Sequence, residues 1–188
     1  DQPVKTMVAS GRDDVYAYRF DWDELPTILG TDLSSMIGAG HGLEIPFVFG
    51  HYDLGSEQAE QLFTEDNRPG RRELSKKIRH YWATFARHGN PNSKDRTNWS
   101  PWNNRPEGAE RYLVLDTEAD GGLRMGSRTY STRGLLNKID EDPRLENQRQ
   151  RCVVLRAMAA SVGNVSRSDY ENARQCESFS WSEYPWRP

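Results

Sequence analysis

Residues 38–50 read GAGHGLEIPFVFG, and this stretch places His41 between glycines just before an apolar run. Glycine has no side chain and adopts tight turns readily, so Gly40 and Gly42 predict an accessible loop. Imidazole exchanges protons near neutral pH, which makes a histidine on such a loop a candidate general base. The other interpretation of the same residues is a loop histidine held by backbone hydrogen bonds.

A short strand is predicted upstream of this loop. Residues 15–20, VYAYRF, are mostly apolar, β-branched or aromatic, which is typical of a buried strand. Residues 21–40 then contain one proline and three glycines, which predicts a loop-rich connection. The histidine loop is therefore expected at the edge of a sheet, beyond the far end of this strand.

An amphipathic helix is predicted over residues 72–87. Most of its apolar side chains are three or four positions apart and form one stripe, consisting of Leu74, Ile78, Tyr81, Trp82 and Phe85. We expect Trp82 and Phe85 to be buried against the sheet. Gly89 and Pro91 are expected to end the helix.

The rest of the chain gives weaker patterns. Residues 90–110 indicate an irregular loop held down by Trp99 and Trp102, and residues 111–115 and 123–125 indicate a hairpin. Pro143, with Asp142 before it, is expected to open a last helix with one face formed by Leu145, Cys152, Leu155 and Ala159. The aromatic tail of the last twenty residues is either docked or disordered. No internal repeat suggests a second domain, so residues 1–188 are assigned to one.

Composition excludes several classes of protein. The 188 residues carry a net charge of −3 with no basic concentration, which argues against nucleic acid or an anionic membrane as a partner. No apolar run reaches the roughly 20 residues that cross a bilayer. The His, Cys, Asp and Glu spacings resemble no metal site, and no cofactor is implied.

Three further features leave alternatives open. Cys152 and Cys176 either close one loop in an oxidising compartment or remain two buried thiols. Asn98 and Asn164 match the glycosylation pattern, which has meaning only in a secreted eukaryotic protein. The amino terminus lacks a signal peptide, so either export is absent or the protein begins further upstream, which we favour. Localisation stays open, with a secreted or extracytoplasmic one favoured.

Two long motifs carry a resemblance to a known family. The histidine stretch at 38–50 and the run YWATFARHGNPN at 81–92 resemble the carboxyl-terminal third of type-B carboxylesterases, the cholinesterase-like branch of the α/β-hydrolases. The resemblance covers residues 15–125. It implies an α/β fold in which this chain supplies the last strands of the central sheet, covering helices and the histidine loop.

Members of that family are well over twice this length. The resemblance therefore implies that the nucleophilic serine, the oxyanion-hole glycines and the acidic triad residue all precede Asp1. No Gly-x-Ser-x-Gly elbow occurs within the chain itself. The chain is expected to be a fragment, or one chain of a nicked enzyme, with the upstream segment as its partner.

The resemblance also assigns roles to individual residues. It makes His41 the triad histidine, which acts first as general base and then as general acid. Glu44 is interpreted as a buried carboxylate that supports the loop or as a helix-start residue, because the family takes its triad acid from an upstream loop. The histidines at 51, 80 and 88 are expected to be solvated or to lie at the edge of the core.

Leu43 departs from the cholinesterase pattern, where an aromatic residue follows the His-Gly pair. A leucine offers no cation–π surface, which favours a neutral ester over a choline ester. The candidate apolar lining near the histidine consists of Leu33, Met36, Ile37 and Leu43, although all four are equally compatible with an ordinary core.

The predicted function is the histidine-bearing part of a serine carboxylesterase that acts through an acyl-enzyme. One alternative is a catalytically dead, cholinesterase-like adhesion or binding module. Another is an inert terminal domain whose sheet edge pairs with a partner chain. The upstream sequence distinguishes the first two, since only an esterase needs a serine in the elbow.

Overall fold

The computed structural model describes residues 1–53, 55–56, 60–105, 109–129, 132–162 and 176. The chain divides into two units, Asp1–Arg128 and Thr129–Pro188. The histidine loop belongs to the first unit and both cysteines belong to the second. The assignment of all 188 residues to one domain stays a prediction.

The first unit alternates strands and helices. In chain order it contains α1 (Gln2–Ala9), β1 (Ala17–Phe20), β2 (Thr27–Ile28), β3 (Thr31–Asp32), α2 (Leu33–Ile37), α3 (Ile45–Phe49), α4 (Arg68–His88), β4 (Tyr112–Leu115), a 3₁₀ turn (Glu118–Asp120) and β5 (Arg124–Gly126). Helix α1 and the short elements between β1 and His41 were not expected from the sequence.

A three-stranded mixed sheet has the order β1-β4-β5. Strand β1 lies parallel to β4 with Tyr18 opposite Leu113, and β5 lies antiparallel to β4 with Met125 opposite Leu113. The predicted hairpin at 111–125 is therefore confirmed. Strands β2 and β3 form a separate antiparallel ribbon.

The strand buried on both faces is β4 rather than β1. All four residues of β4 are buried, as expected for a continuous apolar strand between two neighbours. Strand β1 was expected to be buried, but its residues are half-buried and Tyr18 is 40% exposed. The reason is its position: within the described residues only one edge of β1 is paired.

Helix α4 confirms the predicted amphipathic helix and is longer at both ends. Leu74, Ile78 and Tyr81 are buried and join the main core, which also holds Trp22, Phe47, Trp99, Leu113 and Leu115. Trp99 and Trp102 are both buried, so the loop that carries them is held down as predicted.

The end of the apolar stripe on α4 was predicted wrongly. Phe85 is 43% exposed and Trp82 is only half-buried. Their rings contact Tyr16 and Tyr18, with centroids 5.7 Å and 5.1 Å apart. The last turns of α4 therefore pack against the tyrosines of the β1 segment, but these contacts leave Phe85 exposed and Trp82 only half-buried.

The described residues of the second unit form two helices where one was predicted. Helix α5 (Thr132–Glu141) ends before Pro143, and α6 (Gln148–Val162) begins after it. Asp142 accepts hydrogen bonds from the Arg144 backbone and guanidinium, which hold a turn and lower the pKa of Asp142 to about 2. Asn147 accepts a hydrogen bond from the Gln150 N–H and so begins α6.

A disulfide joins Cys152 to Cys176, with their Cα atoms 5.7 Å apart. Of the two alternatives left open by the sequence, the structure therefore shows the bonded one. Both cysteines are buried together with Ile139 and Leu155, and Leu145 packs against this cluster. The side chain of Ala159, the Asn164 glycosylation pattern and the aromatic tail lie outside the described residues.

Candidate active site

One backbone constraint and one side-chain contact explain the glycines beside His41. The turn is closed by hydrogen bonds from the Leu43 N–H to the Gly40 carbonyl and from the Ile45 N–H to the Gly42 carbonyl, both 3.2 Å. Gly42 has φ +89°, in the left-handed region that favours glycine. A Cβ on Gly40 would lie 2.9 Å from Ile37 Cγ2. His41 is held exposed at the top of this turn.

The histidine loop is anchored at both ends. On one side, the Ser34 hydroxyl of α2 accepts a hydrogen bond from the Leu25 N–H at 3.1 Å. On the other side, the Ser75 hydroxyl donates to the carbonyl of the fully buried Phe47 at 2.7 Å. The loop is therefore fixed to both α4 and the segment after β1.

No described residue forms a hydrogen bond with the His41 ring. The nearest carboxylate in sequence, Glu44, accepts a hydrogen bond from the Gly42 N–H at 2.9 Å instead. Glu44 is half-buried and occupies the N-cap position of α3. Glu44 therefore stands at the start of α3 and bonds the turn that carries His41, and its supporting role at the site stays a prediction.

The four predicted lining residues do not share one surface. Leu43 is 8% exposed and lies in the main core, and Leu33 packs against that core. Met36 and Ile37 are 64% and 42% exposed. Ile37 and Leu43 approach each other only at Gly40. Their assignment as substrate lining stays a prediction.

One serine–histidine pair was missed by the sequence analysis. The Nε2 atom of His80, on α4, lies 2.8 Å from Ser93 Oγ. The pair ties the exposed loop after α4 to the helix, and Asn92 fixes the same loop through two hydrogen bonds with the Trp99 backbone. Because no described carboxylate bonds His80, we interpret this pair as structural.

Charged side chains collect where the parallel strands end. Asp21 follows β1 and Asp116 follows β4, and both carboxylates pair with Arg124, at 3.9 Å and 3.5 Å. Asp21 also accepts two hydrogen bonds from Arg19. Burial raises the pKa of Asp116, while its bond to the Thr117 N–H and the charge of Arg124 oppose that shift. This cluster could have been predicted from the acidic residue that directly follows each of the two strands in the sequence.

An open aromatic cleft of about 190 Å³ lies between Tyr18 of β1 and the last turns of α4. Its lining is made by Tyr16, Tyr18, Tyr81, Trp82, Phe85, Pro91 and Trp99. Burial raises the pKa of Tyr18, and the negative charge of Glu44 raises it further.

Two kinds of feature are absent from the described residues. They contain no group of three or more His, Cys, Asp and Glu side chains arranged to hold a metal ion. None of the helices among them is both long enough and apolar enough to cross a membrane.

Comparison with known proteins identifies the family to which this chain belongs. The model of the carboxylesterase family matches residues 2–133, a span that includes β1, the histidine loop, α4 and the hairpin. The chain belongs to the carboxylesterase family. Its mixed sheet with helices is part of an α/β-hydrolase fold, as the sequence predicted.

Several characterised relatives are similar. Acylcarnitine hydrolase of Rattus norvegicus is 33% identical over 126 residues, which cover 66% of this chain and 20% of the relative. Para-nitrobenzyl esterase of Bacillus subtilis is 35% identical over 104 residues, 55% of this chain and 18% of the relative. A solved carboxylesterase of Geobacillus stearothermophilus is 28% identical with a TM-score of 0.44, over 65% of this chain and 21% of that one. The chain thus spans about a fifth of the length of these proteins.

Proposed function

We propose that this chain is the histidine-bearing part of a serine carboxylesterase and that His41 is its general base. The observation that carries the proposal is the exposed His41 ring, free of hydrogen bonds to described residues, on a loop anchored to the core. A histidine with a structural role would use its ring nitrogens locally. A triad histidine must keep both nitrogens for a serine and an acid.

The chemistry follows from that geometry. One His41 nitrogen takes the proton of a serine hydroxyl while the serine oxygen bonds to the ester carbonyl carbon. The resulting imidazolium then gives this proton to the leaving alkoxide as the carbon–oxygen bond breaks, which leaves an acyl-enzyme. Water repeats the same two proton transfers, and the carboxylic acid is released.

An upstream segment of the same protein supplies the serine, the acid and the oxyanion hole in this proposal. Two features support such a partner: one edge of β1 is unpaired within the described residues, and the aromatic cleft beside it is open. A further parallel strand on that edge would bury Tyr18 and close the cleft.

The proposed burial of the aromatic cleft by an upstream strand predicts how a substitution at Trp82 changes stability. In the full-length polypeptide, Trp82→Ala is expected to lower the free energy of unfolding by roughly 3 to 5 kcal/mol, the loss typical of a buried tryptophan. Urea melts measure it, with the fully buried Ile78→Ala on the same helix as reference. A loss below about 0.5 kcal/mol, beside a normal loss for Ile78→Ala, would mean that the cleft stays open.

The proposed substrate is a neutral carboxylic ester. Position 43 provides no aromatic ring, and the exposed side chains next to the histidine turn, Met36 and Ile37, are apolar and uncharged. Neither feature would attract a quaternary ammonium group.

A fluorophosphonate probe tests the proposal on the full-length polypeptide, because it labels only an activated serine. We expect one labelled serine, located by peptide mapping upstream of residue 1, and no label after His41→Ala. Ser93→Ala should leave labelling unchanged. Label on Ser93 would contradict the proposed site, and a protein that takes no label would be the catalytically dead binding module.

A further inference from the structure

A second cleft, of about 430 Å³, opens beside the first half of α4. Among the described residues, its charged lining consists of five cations and one carboxylate: Arg68, Arg71, Arg72, Lys76 and Arg79 against Glu65. The chain as a whole has a net charge of −3, so this positive charge is a local concentration. His41 is not among the residues that line it.

Three of these cations repel one another along the helix, and only two of the three are paired with a carboxylate among the described residues. Arg68, Arg72 and Lys76 follow one another at intervals of four residues, and like charges at this spacing destabilise a helix. Arg68 pairs with Glu65 at 2.6 Å and Lys76 with Glu73 at 3.2 Å. Among the described residues, no carboxylate lies within ion-pair distance of Arg72 or Arg79.

Arg71 provides fixed positive charge in the wall of the cleft. Its guanidinium is buried, stacks over the Tyr52 ring at 4.4 Å and donates to the Asn67 side-chain oxygen at 2.9 Å. Its other hydrogen bonds go to the Phe63 and Thr64 carbonyls. These partners are neutral, so they orient the guanidinium without cancelling its charge.

Arg79 also lines the cleft and lies beside Gly50. Its guanidinium is so close that a Cβ on Gly50 would be 2.9 Å from Nη1. Gly50 ends α3 with φ +69°, and its lack of a side chain leaves room for the Arg79 guanidinium. The remaining polar groups are already engaged: Ser75 donates to Phe47 and Tyr52 donates to the Arg71 carbonyl.

We propose that this cleft binds a small molecule carrying a phosphate group. Guanidinium groups bind phosphate oxygens in pairs, and several of them around one cleft match a multiply charged oxyanion better than a single carboxylate. A volume of about 430 Å³ is in the range of small-molecule sites. The ligand would be held without a metal and without the ester chemistry of His41.

Inorganic pyrophosphate is the probe, titrated calorimetrically into the full-length polypeptide at low ionic strength. We expect saturable binding at one site per chain. The double variant Arg72→Gln/Arg79→Gln should weaken it at least about tenfold, because hydrogen bonds to charged groups are lost. The double variant Arg87→Gln/Lys94→Gln removes two exposed positive charges elsewhere and should change the affinity by less than about twofold.

Three outcomes would overturn the proposal. Pyrophosphate that does not saturate at millimolar concentration means that no such site exists or that upstream carboxylates already fill it. Equal weakening in both double variants means that the protein senses only net charge. Binding of heparin without binding of pyrophosphate means that the surface takes an anionic polymer. Hydrolysis of p-nitrophenyl acetate, measured on the same samples, is expected to be unchanged and reports on His41 separately.

Discussion

His41→Ala in the full-length polypeptide is expected to lower kcat for p-nitrophenyl acetate at least about a thousandfold. Without the imidazole, no described group at this loop takes the serine proton or returns it to the leaving alkoxide. Because the ring is exposed and bonds no described residue, its removal should leave the unfolding midpoint nearly unchanged. Initial rates and urea melts on the same preparations measure both quantities.

His80→Ala is the matched control for this prediction. It removes a histidine that does contact a serine, at 2.8 Å, and should leave kcat within about threefold of the parent while loosening the loop after α4. The reverse pattern, a large loss from His80→Ala and activity within about tenfold after His41→Ala, would transfer the general base to α4.

The sequence predicted the elements whose patterns are local. Helix α4 has a clear apolar period and a glycine directly after its last residue, and the structure places it where expected. The burial of β1 was predicted less well, because the prediction did not weigh Arg19, whereas β4 is apolar throughout. The two strands also differ in position: among the described residues, β4 has a neighbour on both sides and β1 on one. The neighbours of a strand are distant in sequence, so its place in a sheet cannot be derived from its own residues alone.

At the candidate site, too, the local backbone feature was predictable and the side-chain directions were not. The glycines beside His41 predicted an accessible turn, and in that turn Gly42 has a left-handed φ while a Cβ on Gly40 would crowd Ile37. The side-chain directions of Leu43 and Met36 were not predictable, because Leu43 lies in an irregular turn and Met36 in a five-residue helix too short for a clear apolar period. Leu43 enters the core and Met36 faces solvent, so a list of apolar neighbours in sequence mixed two surfaces.

The 188-residue chain purified alone is expected to hydrolyse p-nitrophenyl esters no faster than buffer. A general base accelerates attack only when a nucleophile is in reach and an oxyanion hole stabilises the developing charge. The described serines include none bonded to His41. Adding the upstream segment should restore activity, and the restored activity should be lost again when the added serine of the elbow is changed to alanine.

The same chain is expected to melt without one sharp transition and to bind a hydrophobic dye such as ANS. Its core around Trp22, Phe47 and Leu113 is closed, but the aromatic cleft and the free edge of β1 leave Tyr18 and Phe85 at the surface. Such an edge and apolar surface are stabilised by a paired strand, so the upstream segment should sharpen the melt and reduce dye binding as it restores activity. A sharp two-state melt of the isolated chain, or hydrolysis by it that disappears with Ser93→Ala, would instead show a self-sufficient domain. If Ser93→Ala abolishes that hydrolysis, the nucleophile would be Ser93 with His80 as its base. His41 would then have no catalytic role.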